Sequence, residues 1–359
     1  MRIVVLDIAA SKTGALTILR DFYDYIRSNP GNNEWIFITG TEDALPETGP
    51  SCDGKNAGSD DPCGEGNPGG SIRVICRPDV KASSKNRLRF DLLTGAAYIK
   101  SFKPDVLFSL QNTLPRGIKG VKKVLYVHQP LGYQKIRRFS FLKKEERHLA
   151  AYQYLYSILV NSSVKASDQT IVQTDWMREA VRKKTGKKEI VKITPDVADI
   201  SVYGEYAEFD KRSFFYPAGD LLYKNHAVIE EAAGILNSNG IGDFELIFTN
   251  RKPMTRPEVC SLYFKSTLIF ASYIETFGLP LAEAMQTGNP ILAAYTPFAR
   301  EILSDYENAY YFDPFDAVGL SELMKKVLDG TIAPKKGRQV SPGKSSYSKI
   351  VRLLTRQGG

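Results

Sequence analysis

Only three of the 359 residues are histidine and four cysteine, and no two cysteines share the C-x-x-C spacing. With no histidine near them in sequence, Cys52, Cys63, Cys76 and Cys260 outline neither a zinc site nor a disulfide framework for a chain of this size. Cys52 and Cys63 share one Gly-, Asp- and Pro-rich stretch, where a bridge would form only on oxidation. No stretch approaches the roughly 20 uncharged apolar residues of a membrane span. The start, M-R-I-V-V-L-D-I-A-A-S, interrupts its apolar run with Asp7 and reads as a first strand, not a secretory signal. A cytoplasmic location is the expectation. No G-x-G-x-x-G follows that strand, so a nicotinamide dinucleotide is not supported. No Asp-x-Asp stands at a strand end to hold a divalent metal, and Asp60-Asp61 falls in a polar insert.

What is present is charge of one sign in one half. The formal net charge is +8. Three basic groups lie within the first 190 residues: Arg116, Lys119, Lys122 and Lys123; then Arg137, Arg138, Lys143, Lys144 and Arg147, interleaved with Tyr133, Phe139 and Phe141; then Arg182, Lys183, Lys184, Lys187 and Lys188. A polarised basic half points to an anionic partner, such as a membrane surface or a phosphorylated acceptor. Nucleic acid is the weaker choice, because no recognised binding module accompanies the charge.

Short β-rich runs alternate with helical patterns, which predicts an α/β protein with parallel sheets. Strands are predicted over Arg2 to Ile8, Glu34 to Gly40, Ile72 to Arg77, Asp105 to Leu110, Lys123 to His128 and Gln169 to Thr174. The pattern restarts with Ser213 to Ala218, Phe244 to Thr249, Thr267 to Ser272, Pro290 to Ala294 and Ala309 to Phe312. Helices between them include Ala15 to Ser28, Leu88 to Phe102, Phe141 to Asn161 and Trp176 to Lys184 in the first half. The break falls within Thr194 to Lys211. The expected organisation is a first doubly wound domain over 1–195, a second over 196–345, and a last helix in 346–359 crossing back to the first. Asp43 to Ser71 has almost no large apolar residue and reads as a disordered surface insert. A ligand is expected between the domains, at the carboxyl ends of the strands.

The chemistry concentrates in Y-I-E-T-F-G-L-P-L-A-E-A-M-Q-T-G, residues 273–288. Glu275 stands in a turn, Gly278 follows, and Pro280 opens an apolar helical stretch with Glu283 one turn inside. Free N–H groups at a helix start suit a phosphate, and Gly278 carries no Cβ to hold a ligand oxygen off the backbone. Two carboxylates that accept hydroxyls, flanking a donor cradle for phosphate, fit a nucleotide sugar.

These residues carry a resemblance. E-T-F-G-L-P-L-A-E, with Glu275 and Glu283 in E-x7-E spacing, is similar to the signature of family 4 retaining glycosyltransferases of the GT-B fold. F-F-Y-P-A-G-D-L-L-Y-K-N-H, K-P-D-V-L-F-S-L-Q-N, Y-V-H-Q-P-L and I-V-Q-T-D-W-M resemble bacterial members that build capsule or O-antigen polysaccharide. The resemblance implies two facing Rossmann-like domains and a UDP- or GDP-linked sugar as substrate, with no cofactor and no metal. It implies donor-sugar contact for Glu275, ribose contact for Glu283, and donor contact along Thr276, Phe277, Gly278 and Leu279. Lys224 becomes the cation on the donor diphosphate, although the arginine many relatives add just before it is replaced here by Ala218, Gly219 or Asp220. Gly14, in T-G-A-L after the first strand, is a partial match to the family's glycine loop. His128, ending V-L-Y-V-H, is placed beside the donor sugar, where imidazole acts near neutral pH. Gln111 and Asn112 are candidates for the acceptor, a glycan or lipid-linked oligosaccharide at the inner membrane face. The chain is shorter than the family between Lys224 and Glu275 by one strand and turn, a piece that normally serves the nucleotide base. That shortening keeps open a non-catalytic relative acting as a membrane or assembly partner.

Overall fold

The computed structural model describes residues 1–10, 14–46, 70–204, 207–336 and 346–356. Two sheets carry the fold, and every strand pairing in them is parallel. The first contains β1 (Arg2–Asp7), β2 (Glu34–Thr39), β3 (Ser71–Cys76), β4 (Val106–Ser109), β5 (Lys122–Tyr126), β6 (Gln169–Val172) and β7 (Ile190–Lys192), in the order β3-β2-β1-β4-β5-β6-β7. The second contains β8 (Ser213–Tyr216), β9 (Glu245–Phe248), β10 (Thr267–Phe270), β11 (Ile291–Ala294) and β12 (Ala309–Phe312), in the order β12-β11-β10-β8-β9.

The near-continuous apolar runs of the central strands follow from burial on both faces. Along β1, Ile3 and Val5 join one core with Phe22, Phe108 and Val124, while Val4 and Leu6 join the opposite core with Leu107, Leu125 and Val160. The second sheet is enclosed in a single core that includes Phe215, Ile269, Leu292 and Leu320. Strand order reverses beside β1 and beside β8, the two places where diverging loops open a crevice at the carboxyl edge.

Three expectations need correction. Of the insert predicted from Asp43 to Ser71, the first residues are anchored: Glu42–Ala44 form a 3-10 turn, Ala44 and Leu45 are buried, and Arg20 donates to the carbonyls of Asp43 and Ala44. Ser71 already belongs to β3. Residues 47–69, with Cys52 and Cys63, lie outside the described residues; Cys76 and Cys260 are free thiols. The helix predicted from Phe141 starts only at Arg147 and continues to Ala166, with a π-helical stretch over Ala151–Tyr156. Glu146 explains the delay. Its buried carboxylate accepts from the Ser140 N–H at 2.8 Å and pairs with Arg137 at 2.7 Å, which holds the preceding residues in a loop. These contacts keep its carboxyl below the usual range. Finally, β7 was not predicted, because three residues ending in a lysine at a sheet edge carry too little pattern.

The last helix, Ser346–Thr355, lies on the first domain, with Ile350 and Leu354 buried in the core around Phe22. The Lys122 ammonium donates to the carbonyls of Leu353 at 2.6 Å and Arg356 at 2.8 Å, a cation at the negative end of the helix. At its other end the Ser346 hydroxyl donates to Asp196 at 2.8 Å. Leu354→Ala is expected to cost about 3 kcal/mol by leaving a cavity under the helix. A urea titration reads this as a lower midpoint with an unchanged slope.

Candidate active site

Because β8 and β10 are sheet neighbours, the loops that follow them meet. Lys224 ends a 3-10 turn, Leu222–Lys224, and Asn225 behind it adopts a left-handed φ of 60°. The Tyr216 hydroxyl donates to the Lys224 carbonyl at 2.6 Å, and the Asn225 amide donates to the Pro314 carbonyl at 2.6 Å. The turn is thus tied at both ends. From it the Lys224 ammonium reaches the Glu275 carboxylate in a direct ion pair, and the Ser272 hydroxyl donates to the same oxygen at 2.8 Å. Each partner of the pair keeps about a fifth of its side chain exposed. His226 is not part of this contact; it stacks between Tyr216 and Phe248 at 5.1 and 5.4 Å and supports the turn from behind.

Gly278 has φ 92°, a conformation L residues rarely adopt, and it starts the helix Leu279–Ala284. The helix begins one residue earlier than predicted, so Pro280 is its second position. Pro280 has no N–H, and that of Leu281 donates back to Gly278 at 3.0 Å. The first turn therefore offers a narrower cradle than the sequence suggested. Phe277 is buried and Leu279 partly exposed. Glu283 is only 6% exposed and is gripped through both oxygens by Arg256. Arg256 follows Thr255, whose side chain forms a capping box with Glu258. The capping pattern is readable in the sequence; that it aims Arg256 at Glu283 is not, and the residue was missed for that reason.

The Glu275 loop also meets the first domain. The Thr276 carbonyl accepts from the Thr174 hydroxyl at 2.8 Å and the Trp176 indole at 3.2 Å. Glu301 accepts the N–H groups of Asp175 and Trp176 at 2.7 and 2.9 Å, so it caps a helix of the other domain. Leu131, Phe139 and Leu149 pack with Tyr273 and Ile274 across the same seam.

On the first-domain side, His128 is half-buried and its backbone N–H donates to the Asn112 side-chain oxygen at 2.7 Å. Desolvation lowers its imidazole to about 4, against a hydrogen bond to the Leu110 carbonyl, so the ring is neutral at pH 7. Asn112 holds φ 65°. The Gln111 side chain is committed internally, accepting from Ile8 and donating to Asp91 and Thr113 at 3.3–3.4 Å. The side chains of both residues proposed for the acceptor thus already hold the loop after β4 in place. Gly14 starts the helix Gly14–Ser28, where an added Cβ would meet open space, so packing does not demand glycine there. Asp7, at the end of β1, is fully buried with one oxygen unpartnered, and burial raises it to about 7. Among the described residues no three His, Cys, Asp or Glu converge as a metal site would need. A hollow of about 260 Å³ is lined by Pro217, Ala218, Gly219, Thr249 and Asn250, just past the ends of β8 and β9, and by Val259 of the helix Arg256–Lys265.

Residues 242–342, which include Glu275 and Glu283, match the family described as glycosyl transferases group 1. Sucrose-phosphate synthase from Thermosynechococcus elongatus shares the fold with a TM-score of 0.59 and 14% identity, over 98% of this chain and 94% of its own. WaaG, a glycosyltransferase involved in lipopolysaccharide biosynthesis, matches with a TM-score of 0.59 and 11% identity, over 99% of this chain and all of its own. HepE from Anabaena, solved in complex with UDP, matches with a TM-score of 0.55 and 13% identity, over 99% and 95%. No curated protein matches the sequence. The fold is therefore GT-B, and the family match together with this architecture supports a glycosyltransferase.

The neutral His128 gives a pH test. Between about 6.5 and 4 the unfolded chain binds a proton on this residue that the folded chain refuses, so its contribution to stability is present above pH 6.5 and lost as pH falls toward 4. Asp7 acts oppositely, binding its proton more readily when folded. The difference between wild type and His128→Gln removes such shared terms. Urea midpoints of the variant should fall less between pH 7 and 4.5 than those of the wild type.

Proposed function

We propose that the protein is a retaining glycosyltransferase that takes a sugar from a UDP- or GDP-linked donor and adds it to a glycan or lipid-linked acceptor. The observation that carries the reading is the Lys224–Glu275 ion pair at the carboxyl ends of two adjacent parallel strands, the switch point of the second sheet. A donor diphosphate entering there replaces Glu275 as the partner of Lys224, which frees the carboxylate for sugar hydroxyls. Lys224 then faces the phosphate on which charge gathers as the glycosidic bond breaks. The hollow at the ends of β8 and β9 is the place for the nucleotide base, bounded by the backbone of Pro217–Gly219 and by Thr249 and Asn250. Glu283 serves the ribose once Arg256 shares or releases it.

Retention of configuration needs the acceptor on the same face as the leaving phosphate, which then helps remove the acceptor proton. His128, neutral and half-buried, has its one ring N–H on the Leu110 carbonyl, so its other ring nitrogen accepts from a hydroxyl in this arrangement. No metal is assigned a role. Association with a membrane fits a lipid-linked acceptor.

One observation favours a second reading, a non-catalytic relative that no longer holds a donor and acts as a membrane or assembly partner. Both glutamates of the E-x7-E pair are already matched by a cation of the chain, Lys224 and Arg256. Release of free UDP or GDP from a donor sugar separates the two readings, provided it disappears in Glu275→Ala.

Isothermal titration with UDP- and GDP-sugars tests the main proposal. Binding of one class is expected, weakened about 10- to 100-fold by Lys224→Ala, which removes a charge-assisted bond to phosphate. Glu283→Ala should weaken it as well. Binding of neither class, or affinities unmoved by both substitutions, refutes the assignment.

A further inference from the structure

Four acids of the second domain each meet a cation of the chain: Glu230 with Arg251, Asp243 with Arg212, Glu275 with Lys224 and Glu283 with Arg256. Asp220 departs from that pattern. It is exposed, and its Oδ1 accepts from a neutral group, the side-chain amide of Asn250. The neighbouring cations are turned elsewhere. Lys224 is taken by Glu275, and Arg251 pairs with Glu230 while its guanidinium lies over the Phe248 ring at 4.2 Å. His226 lies within electrostatic reach of Asp220, but burial lowers its pKa, so the ring is neutral at pH 7.

The Asp220–Asn250 contact stands at the rim of the hollow given above to the nucleotide base. Asn250 lines that hollow, and so does Gly219, the residue before Asp220. Pro217, Ala218 and Val259 supply apolar wall, which suits the faces of a planar base. A Cβ added to Gly219 would meet nothing within 4 Å, so nothing crowds that side. The polar groups on offer are a carboxylate, which only accepts, and an amide whose NH₂ has a second hydrogen to give.

We infer that Asp220 and Asn250 read the base of the donor, and that this base is guanine, which makes the donor a GDP-sugar. The inference rests on the reading of the hollow as the base site. Guanine carries two adjacent N–H donors, N1–H and the 2-amino group, beside the O6 acceptor. The two oxygens of Asp220 accept that donor pair, and the Asn250 amide gives its second hydrogen to O6. Uracil offers one N–H between two carbonyl oxygens, which set their lone pairs against the carboxylate. Adenine and cytosine place a ring-nitrogen acceptor beside the amino group, so one Asp220 oxygen again meets a lone pair. A site that receives two N–H groups discriminates against a ligand that lacks them, because its polar groups are left unpaired.

Isothermal titration of the full-length chain with GDP, UDP and inosine diphosphate tests this with neither sugar nor acceptor present. GDP is expected to bind about tenfold or more tighter than UDP, and tighter than inosine diphosphate, which lacks the 2-amino group. Asp220→Asn should weaken GDP by about tenfold and leave UDP no weaker. The same variant should gain affinity for xanthosine diphosphate, whose 2-oxo group accepts from the amide NH₂. A merely structural role for Asp220 would not exchange one purine for another. The residue is exposed, and an unchanged thermal midpoint confirms the fold. UDP bound as tightly as GDP, or a GDP-to-UDP ratio unmoved by Asp220→Asn, overturns the guanine assignment and leaves the glycosyltransferase reading standing. Binding of neither nucleotide overturns both.

Discussion

The carbonyl of Thr276 is the point on which the arrangement depends. Two donors of the first domain, the Thr174 hydroxyl and the Trp176 indole, converge on it, and Glu301 returns the contact by capping the helix that begins at Asp175. Glu275 is the residue before Thr276, and Gly278 comes two residues after it. Whatever sets the domains relative to each other therefore also sets the loop that carries the candidate site. Hydrogen bonds to a capping carboxylate are charge-assisted and stronger than neutral ones, which suits a seam that must hold its register. Apolar contacts around Tyr273 and Ile274 join the same two domains beside these bonds.

Within the site, both acidic residues of the E-x7-E segment are charge-matched. Glu283 is nearly buried, and an unpaired carboxylate there would carry a large desolvation cost; Arg256 removes it. Glu275 is more exposed and shares one oxygen between Lys224 and Ser272. The two pairs differ in how readily a ligand exchanges with them. A phosphate competes for Lys224 in a partly wet site, whereas a hydroxyl at Glu283 has to be accommodated beside a bidentate guanidinium.

Much of the fold was legible from residue pattern because parallel sheets buried on both faces need apolar runs at regular intervals, as in I-V-V-L of β1 and T-L-I-F of β10. Legibility failed where local pattern and tertiary contact disagree. Phe141 to Glu146 has the composition of a helix start, yet Glu146 and Arg137 draw it into a loop. Ala44 and Leu45 sit at the edge of a polar stretch, yet they are buried in the core around the helix Gly14–Ser28. Gln111 and Asn112 look like strand-end groups free for a ligand, but their side chains brace the backbone around β1 and β5. An amide that satisfies buried backbone groups and one that waits for a sugar are the same residue type in sequence.

By itself the sequence determined the α/β class, the two-sheet division, and a segment from Glu275 to Glu283 with carboxylates at fixed spacing around a glycine that must turn. These are local matters of period, turn chemistry and spacing, and they need no partner to be defined. Only the tertiary structure decided which cation each carboxylate meets, which basic residues are engaged within the fold, and which apolar side chains remain at the surface. Those outcomes depend on contacts between residues far apart in the chain, such as Lys122 with Leu353 or Arg256 with Glu283, and no local pattern encodes such a distance.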